Sequence, residues 1–232
     1  MVQLHRLARR GGRPLAKDDS GLHSADQLAS AASAPGGCHG QVIITTVITV
    51  DGLIEDPVPA PEGWLILEGD HEPPEFEMWQ NAAGMLIGRK NYEGFAAYWP
   101  SAAGDGRWDD MLNPMPKWVA STTLTAPLEW NATLIEGDVA EAVQRQGRHD
   151  RDLISSGCGA FARFLVEHGL VDELMFWVNP TIQGPGDRPF HEGDPIDLKF
   201  LDSQSFESEV VLLRYQPAGR FAPKPLGGAS AE

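Results

Sequence analysis

Residues 85–100 read MLIGRKNYEGFAAYWP. An apolar run ends on Gly88 and is the length of a short buried strand; an aromatic-rich amphipathic segment follows it. Two cations, Arg89 and Lys90, stand at the handover. A helix N-terminus presents unpaired N–H groups and the positive end of the helix dipole. Cations in a first turn oppose that dipole, whereas an anion such as phosphate would be held by both the dipole and the cations. The plainer reading, two solvated side chains, leaves the unfavourable placement unexplained.

The same handover recurs outward from this point. QVIITTVITV (41–50) is β-branched almost throughout and predicts a buried strand. PPEFEMWQNAAG (73–84) predicts a helix with Pro at its start and Gly at its end. MLIG (85–88) predicts a strand and RKNYEGFAAYW a helix; KWVAS (117–121) and ATLIEG (132–137) predict strands. DVAEAVQRQG (138–147) predicts a helix capped by its Asp, DLISSG (152–157) a strand, and CGAFARFLVEHG a helix ended by Gly169. ELMFWVNPTIQG (173–184) predicts a strand, and the segment from Asp197 to Pro217 a closing hairpin. Strands alternating with helices imply an α/β fold with a mixed, mostly parallel sheet covered on both faces. No internal repeat or second core-sized region is apparent. We therefore expect one domain at 40–220, an N-terminal tail at 1–39 rich in small and polar residues, and a C-terminal tail at 221–232.

The chain has 232 residues, with 18 Lys and Arg against 33 Asp and Glu, a net charge of −15. That balance argues against a nucleic-acid or anionic-membrane surface, though not against a local cationic pocket. Two cysteines, Cys38 and Cys158, and seven scattered histidines form no HExxH or CxxC pattern, so no metal is expected. No apolar run approaches the length of a membrane span, and the Arg-bearing N-terminus lacks the apolar stretch of a secretory signal. A cytoplasmic location is expected.

Two further strand ends carry candidate chemistry. In SSGCGAFARFL (155–165), Gly157 and Gly159 flank Cys158 where a strand meets a helix, so backbone N–H groups could cradle a pyrophosphate. The pattern is neither GxGxxG nor a Walker loop, and a tight turn of small residues explains it equally well. A helix N-terminus would activate Cys158 as a nucleophile, but no histidine lies nearby in sequence to complete a dyad. STTL (121–124) ends a strand, and its hydroxyls suit phosphate or ribose oxygens or the capping of a turn. Ligands of open α/β sheets lie beyond the carboxyl ends of strands, where all three stretches fall. The Asp51-Gly52 turn opens a long Pro-rich connection that brings Trp64, Glu68 and Asp70.

Taken in order, these stretches resemble the dihydrofolate-reductase-like family, and more closely the stand-alone bacterial proteins related to the pyrimidine reductase domain of the riboflavin pathway. TVITVDGLIEDP is similar to the family's opening strand and Ser/Thr-x-Asp-Gly turn, and EGW to its Gly-Gly-Trp. MLIGRKNYEGFAAYWP resembles Leu-Leu-Gly-Arg-x-Thr-Tyr-Glu, and KWVASTTL resembles Lys-x-Val-x-Ser-x-Thr-Leu. LVEHGLVDELMFWVNPTIQGPGDRPF resembles Leu-Val-Asp-Glu followed by Pro-x-x-x-Gly-x-Gly-x-x-Phe.

The resemblance implies a three-layer α/β/α fold, NADPH across the carboxyl end of the sheet (NADH being the other choice), a small-molecule substrate and a homodimer. It implies that Gly88, Arg89, Lys90 and Asn91 meet the 2′-phosphate and pyrophosphate, and that Ser121 and Thr122 lie near the 2′-phosphate and ribose. It also implies that Gly157, Cys158, Gly159 and Ala160 hold the pyrophosphate through backbone N–H groups. Asp51 is then the first candidate for a proton relay, with Glu68 and Asp70 behind it; the other reading has Asp51 shaping the turn and water delivering the proton. Trp64, Tyr92 and Pro180 are assigned to the substrate side. The activity implied is hydride transfer to a C=N or C=C bond of a small, heterocyclic substrate of pteridine or pyrimidine type; the alternative is a binding protein that keeps the fold without catalysis. The sequence departs from the pattern at Asn91 (usually Thr), Thr122 (usually Arg), Cys158 (usually Ser) and Asp187 (usually Lys). No deaminase motif of His-x-Glu with PCxxC is present.

Overall fold

The computed structural model describes residues 40–54, 64–66, 68–102, 106–146, 150–190, 193 and 195–218. The two expected tails, Cys38 and most of the Pro-rich connection lie outside the described residues. The order is β1 (Val42–Thr49), α1 (Glu72–Asn81), β2 (Gly84–Gly88), α2 (Arg89–Tyr98), a 3-10 turn (Trp99–Ala102), α3 (Arg107–Leu112), β3 (Lys117–Ala120) and β4 (Ala132–Leu134). It continues with α4 (Val139–Gln146), β5 (Leu153–Ser156), α5 (Ala160–Glu167), β6 (Glu173–Asn179), β7 (Leu198–Ser205) and β8 (Val211–Pro217).

The strands form one eight-stranded sheet in the order β4-β3-β2-β5-β1-β6-β8-β7. β1 to β6 run parallel, and β8 pairs antiparallel to both β6 and β7. The sheet is thus mixed and mostly parallel.

Strand alternation splits the core into layers. On β2, Met85 and Ile87 join a cluster with Tyr92 and Phe95 of α2 and Trp108 and Leu112 of α3. Leu86 between them faces the other way, joining Val143 of α4 and Ala162 and Leu165 of α5. β5 repeats the division, with Ile154 on the first face and Leu153 on the second. A third cluster, with Ile43, Met175, Trp177 and Leu212, extends the first face toward β8. Helices therefore cover both faces, giving α/β/α layers.

Local signals placed most boundaries. Asp138 caps α4 by accepting the Glu141 N–H at 2.9 Å. Gly169, at φ +64°, ends α5, and Leu170 N–H returns to Leu165 O at 2.9 Å. Elsewhere tertiary contacts override the local reading. Gly84, expected to end the first helix, instead opens β2; a Cβ there would lie 2.5 Å from the Trp118 ring and 2.6 Å from Pro116 O. The strand expected to reach residue 184 ends at Asn179, just before Pro180, which has no N–H for the ladder. The strand expected at 132–137 stops at Leu134. Helix α3 has no counterpart in the local reading, and no helix lies between β3 and β4.

Candidate functional site

β2 and β5 are hydrogen-bonded neighbours, yet α2 packs on one face of the sheet and α5 on the other. The chain parts in opposite directions beyond these two strands, and a crevice opens between the helix starts, as it does at the switch point of any doubly wound sheet. A cleft of about 520 Å³ lies there. Gly88, Arg89, Lys90, Asn91, Ser121, Thr122, Gly157, Gly159 and Ala160 all line it. Among the described residues, its charged lining is Arg89 and Lys90, both cations, in a chain of net charge −15.

The two helix starts approach closely. A Cβ on Gly88 would lie 2.9 Å from the Cβ of Phe161. Asn91 Nδ2 donates to Ser156 O at 2.7 Å, tying the start of α2 to the end of β5. Gly157 has φ +90°, and a Cβ there would lie 2.6 Å from Asn91 Nδ2. That position needs glycine on both counts. The first-turn N–H groups of each helix have no intrahelical carbonyl to bind and point toward the cleft end of the sheet.

Some expected donors are otherwise engaged. Gly157 N–H is spent on Thr45 O at 3.0 Å, which leaves Gly159 and Ala160 as the glycine-turn residues placed to meet an anion. Ser121 Oγ accepts the N–H groups of Thr123 and Leu124 at 3.1 and 3.0 Å, so its oxygen caps a turn, with the Thr123 hydroxyl 3.5 Å away. Cys158 does not line the cleft. Its thiol is buried against Thr46 Oγ1 at 3.4 Å, and burial pushes its pKa up to about 11, so a nucleophilic role is closed to it. Arg89 Nη1 contacts both carboxylate oxygens of Glu93, at 3.1 and 2.9 Å. Sequence reasoning also missed the apolar wall of Val139, Phe161 and Phe164. Phe161 and Phe164 stack at 6.5 Å between ring centres, a surface suited to a planar ring.

The candidates for proton transfer and substrate contact stand differently. Asp51 follows β1, one strand from β5. Its carboxylate accepts the Thr49 hydroxyl at 2.7 Å, Gly184 N–H at 2.7 Å and Gln183 N–H at 3.2 Å. Those bonds, the Thr49 hydroxyl foremost, hold its pKa down at about 2 against a small opposing effect of burial. A carboxylate so engaged is ionised at neutral pH, which speaks against a proton-donating role and favours the turn-shaping one. Asp70 accepts Glu207 and Ser208 N–H at 2.7 and 3.0 Å in the β7–β8 turn. That turn lies at β8, three strands beyond β5 and roughly 14 Å away at normal strand spacing. Desolvation raises its pKa, but the hydrogen bonds outweigh it and the net direction is down. Asp70 is therefore a structural clamp rather than a site acid. Glu68 is exposed and does not line the cleft.

Tyr92 is also corrected. Its ring is buried in the core, and its hydroxyl donates to Glu129 O and accepts Glu129 N–H, at 3.3 and 3.1 Å. Trp64 is likewise buried, 7% exposed, which leaves little of it to touch a substrate. Pro180 is exposed at the carboxyl end of β6, beside the Asp51 turn, where Val50 N–H meets Thr181 O at 2.9 Å. Among the described residues no three His, Cys, Asp or Glu side chains gather as a metal site would require, and no helix is long and apolar enough to cross a membrane.

The RibD C-terminal domain family matches residues 41–212. This chain belongs to that family. Solved structures show the same fold at low identity. A Shewanella sp. PV-4 protein named for riboflavin biosynthesis is 19% identical with a TM-score of 0.56, the match covering 77% of this chain and 99% of that one. A Thermotoga maritima diaminohydroxyphosphoribosylaminopyrimidine deaminase/5-amino-6-(5-phosphoribosylamino)uracil reductase is 16% identical with a TM-score of 0.56 over 78% of this chain. The RibD-domain chain spans 57% of that longer protein. A pyrimidine reductase-like protein from Corynebacterium diphtheriae is 12% identical with a TM-score of 0.50, covering 78% and 93% of the two chains. No curated protein matches this chain.

Proposed function

We propose that this RibD-domain protein is an NADPH-dependent reductase acting on a C=N or C=C bond of a small heterocycle of pteridine or pyrimidine type. One observation carries the reading: nine residues expected from sequence to hold the dinucleotide line one cleft whose charged lining, among the described residues, is cationic. Lys90, Arg89 and the first-turn N–H groups of α2 and α5 would hold the phosphates. Phe161 and Phe164 offer a face for the adenine, and Ser121 and Thr122 offer hydroxyls for the ribose at the β3 end. Along the sheet edge β3 is three strands from β1, roughly 14 Å, which suits an elongated ligand. The reactive end then falls near β1, the Asp51 turn and Pro180.

When bound, the reduced nicotinamide supplies a hydride to the carbon of the substrate double bond. The partner atom needs a proton. Asp51 is ionised and accepts hydrogen bonds, so in this reading water, rather than Asp51, delivers the proton. The cytoplasmic location and the homodimer belong to this same proposal. A panel of pteridines, pyrimidines and quinones tests the activity through loss of reduced-nicotinamide absorbance. The proposal expects turnover with a heterocycle and NADPH. Binding of NADPH without turnover of any member would instead support the second reading, a non-catalytic binding protein. That reading is favoured by the engagement of Asp51 and Asp70 in turns.

A further inference from the structure

Arg89 and Lys90 are adjacent, exposed and both line the cleft, but they are not equivalent. Lys90 makes no ion pair among the described residues. Arg89 turns one nitrogen to both oxygens of Glu93, four residues on along α2, and the two side chains are 45% and 47% exposed. Helix stability does not account for this pair. A cation at the first helical position opposes the dipole, and an acid placed C-terminal to its basic partner is the weaker orientation of an i, i+4 pair. Exposed pairs of this kind contribute little. The consequence lies at the cleft: the one guanidinium lining it among the described residues, the group best shaped to grip a phosphate, is held by an internal carboxylate.

Resting on the dinucleotide reading above, we propose that Glu93 is a specificity-determining residue. By holding Arg89 it weakens the cleft's preference for a dinucleotide with a 2′-phosphate over one without. The 2′-phosphate adds about −1.5 to −2 charges near neutral pH. It must share Arg89 with Glu93 or displace Glu93, whose own charge also repels it. The pyrophosphate, common to both cofactors, is met by Lys90 and by backbone N–H groups that Glu93 does not engage. Glu93 does not line the cleft, so it acts through Arg89.

Nicotinamide-fluorescence titrations of the wild type, Glu93→Gln, Arg89→Ala and the double variant with NADPH and with NADH test this. The expected result is NADPH binding tightened about three- to tenfold in Glu93→Gln, NADH changed by less than about twofold, and no gain in the Arg89→Ala background. Glu93 is exposed, and an unchanged melting temperature would confirm that the fold is kept. An unchanged NADPH-to-NADH ratio, an equal gain for both cofactors, or a gain that persists without Arg89 would each overturn the role of Glu93 while leaving the cofactor cleft standing. Binding of neither cofactor by the wild type would overturn the cofactor reading, and this inference with it.

Discussion

At the scale of single residues, Asp51 and Gly157 make the sharpest expectations. Asp51 has a folded-state pKa near 2, below its ordinary value of 3.8. Its contribution to stability is therefore present above pH 4 and is lost as pH falls toward 2. Asp51→Asn should unfold at lower denaturant than wild type at pH 7, and the gap should narrow as the pH falls from 4 to 2; denaturant titrations across that range check it. Gly157→Ala combines a left-handed φ of +90° with a 2.6 Å approach to Asn91 Nδ2. It should cost about 2–3 kcal/mol and weaken the dinucleotide further by displacing Asn91, read by chemical denaturation and by titration. Lys90→Ala should weaken NADPH about tenfold with little change in stability, since the side chain is exposed.

At the scale of elements, a buried lysine fastens the end of α3, whereas a carboxylate on α1 works against the fold at neutral pH. Lys117 on β3 is 1% exposed and donates to the carbonyls of Leu112, Asn113 and Met115 at 2.5, 3.2 and 2.7 Å, with its ammonium 4.0 Å from the centre of the Trp130 ring. Lys117→Met keeps the volume but strands three carbonyls at the end of α3, and thermal or denaturant melts should show a loss of about 2–4 kcal/mol. Glu75 on α1 is partly buried, and desolvation first and the Glu72 charge second raise its pKa to about 7. Its folded pKa lies above the unfolded one, so stability falls as pH rises from about 4.5 to 7. Glu75→Gln should match wild type at pH 4 and exceed it by about 1–3 kcal/mol at pH 8. Neither the Lys117 contacts nor the unfavourable setting of Glu75 was legible in sequence, whereas the strand–helix handovers at Gly88 and Gly157 were, because apolar runs, glycines and helical spacing are local signals. Asp51 and Asp70 looked like free carboxylates because the N–H groups that capture them lie more than 130 positions away. The burial of Tyr92 was in reach, since Tyr92, Phe95 and Trp99 share one helical stripe. The Arg89–Glu93 pair likewise stands at an i, i+4 spacing that the sequence itself displays.

At the scale of the whole molecule, the sheet order sets the function proposed here. The adjacency of β2 and β5, with α2 and α5 leaving to opposite faces, gathers two helix starts and two cations into one cleft. Residues from three parts of the chain, 88–91, 121–122 and 157–160, meet only because β3, β2 and β5 are neighbours. The homodimer proposed with the function should sediment as a particle of twice the chain mass. The central claim is that this cleft binds NADPH through its cations. Calorimetric titration of NADPH into the wild-type protein, at low and at physiological salt, tests it most directly. The account predicts saturable one-to-one binding that weakens as salt rises, because the contacts are ionic. Absence of saturable binding at about millimolar NADPH, far weaker than a specific cofactor site would show, would contradict it.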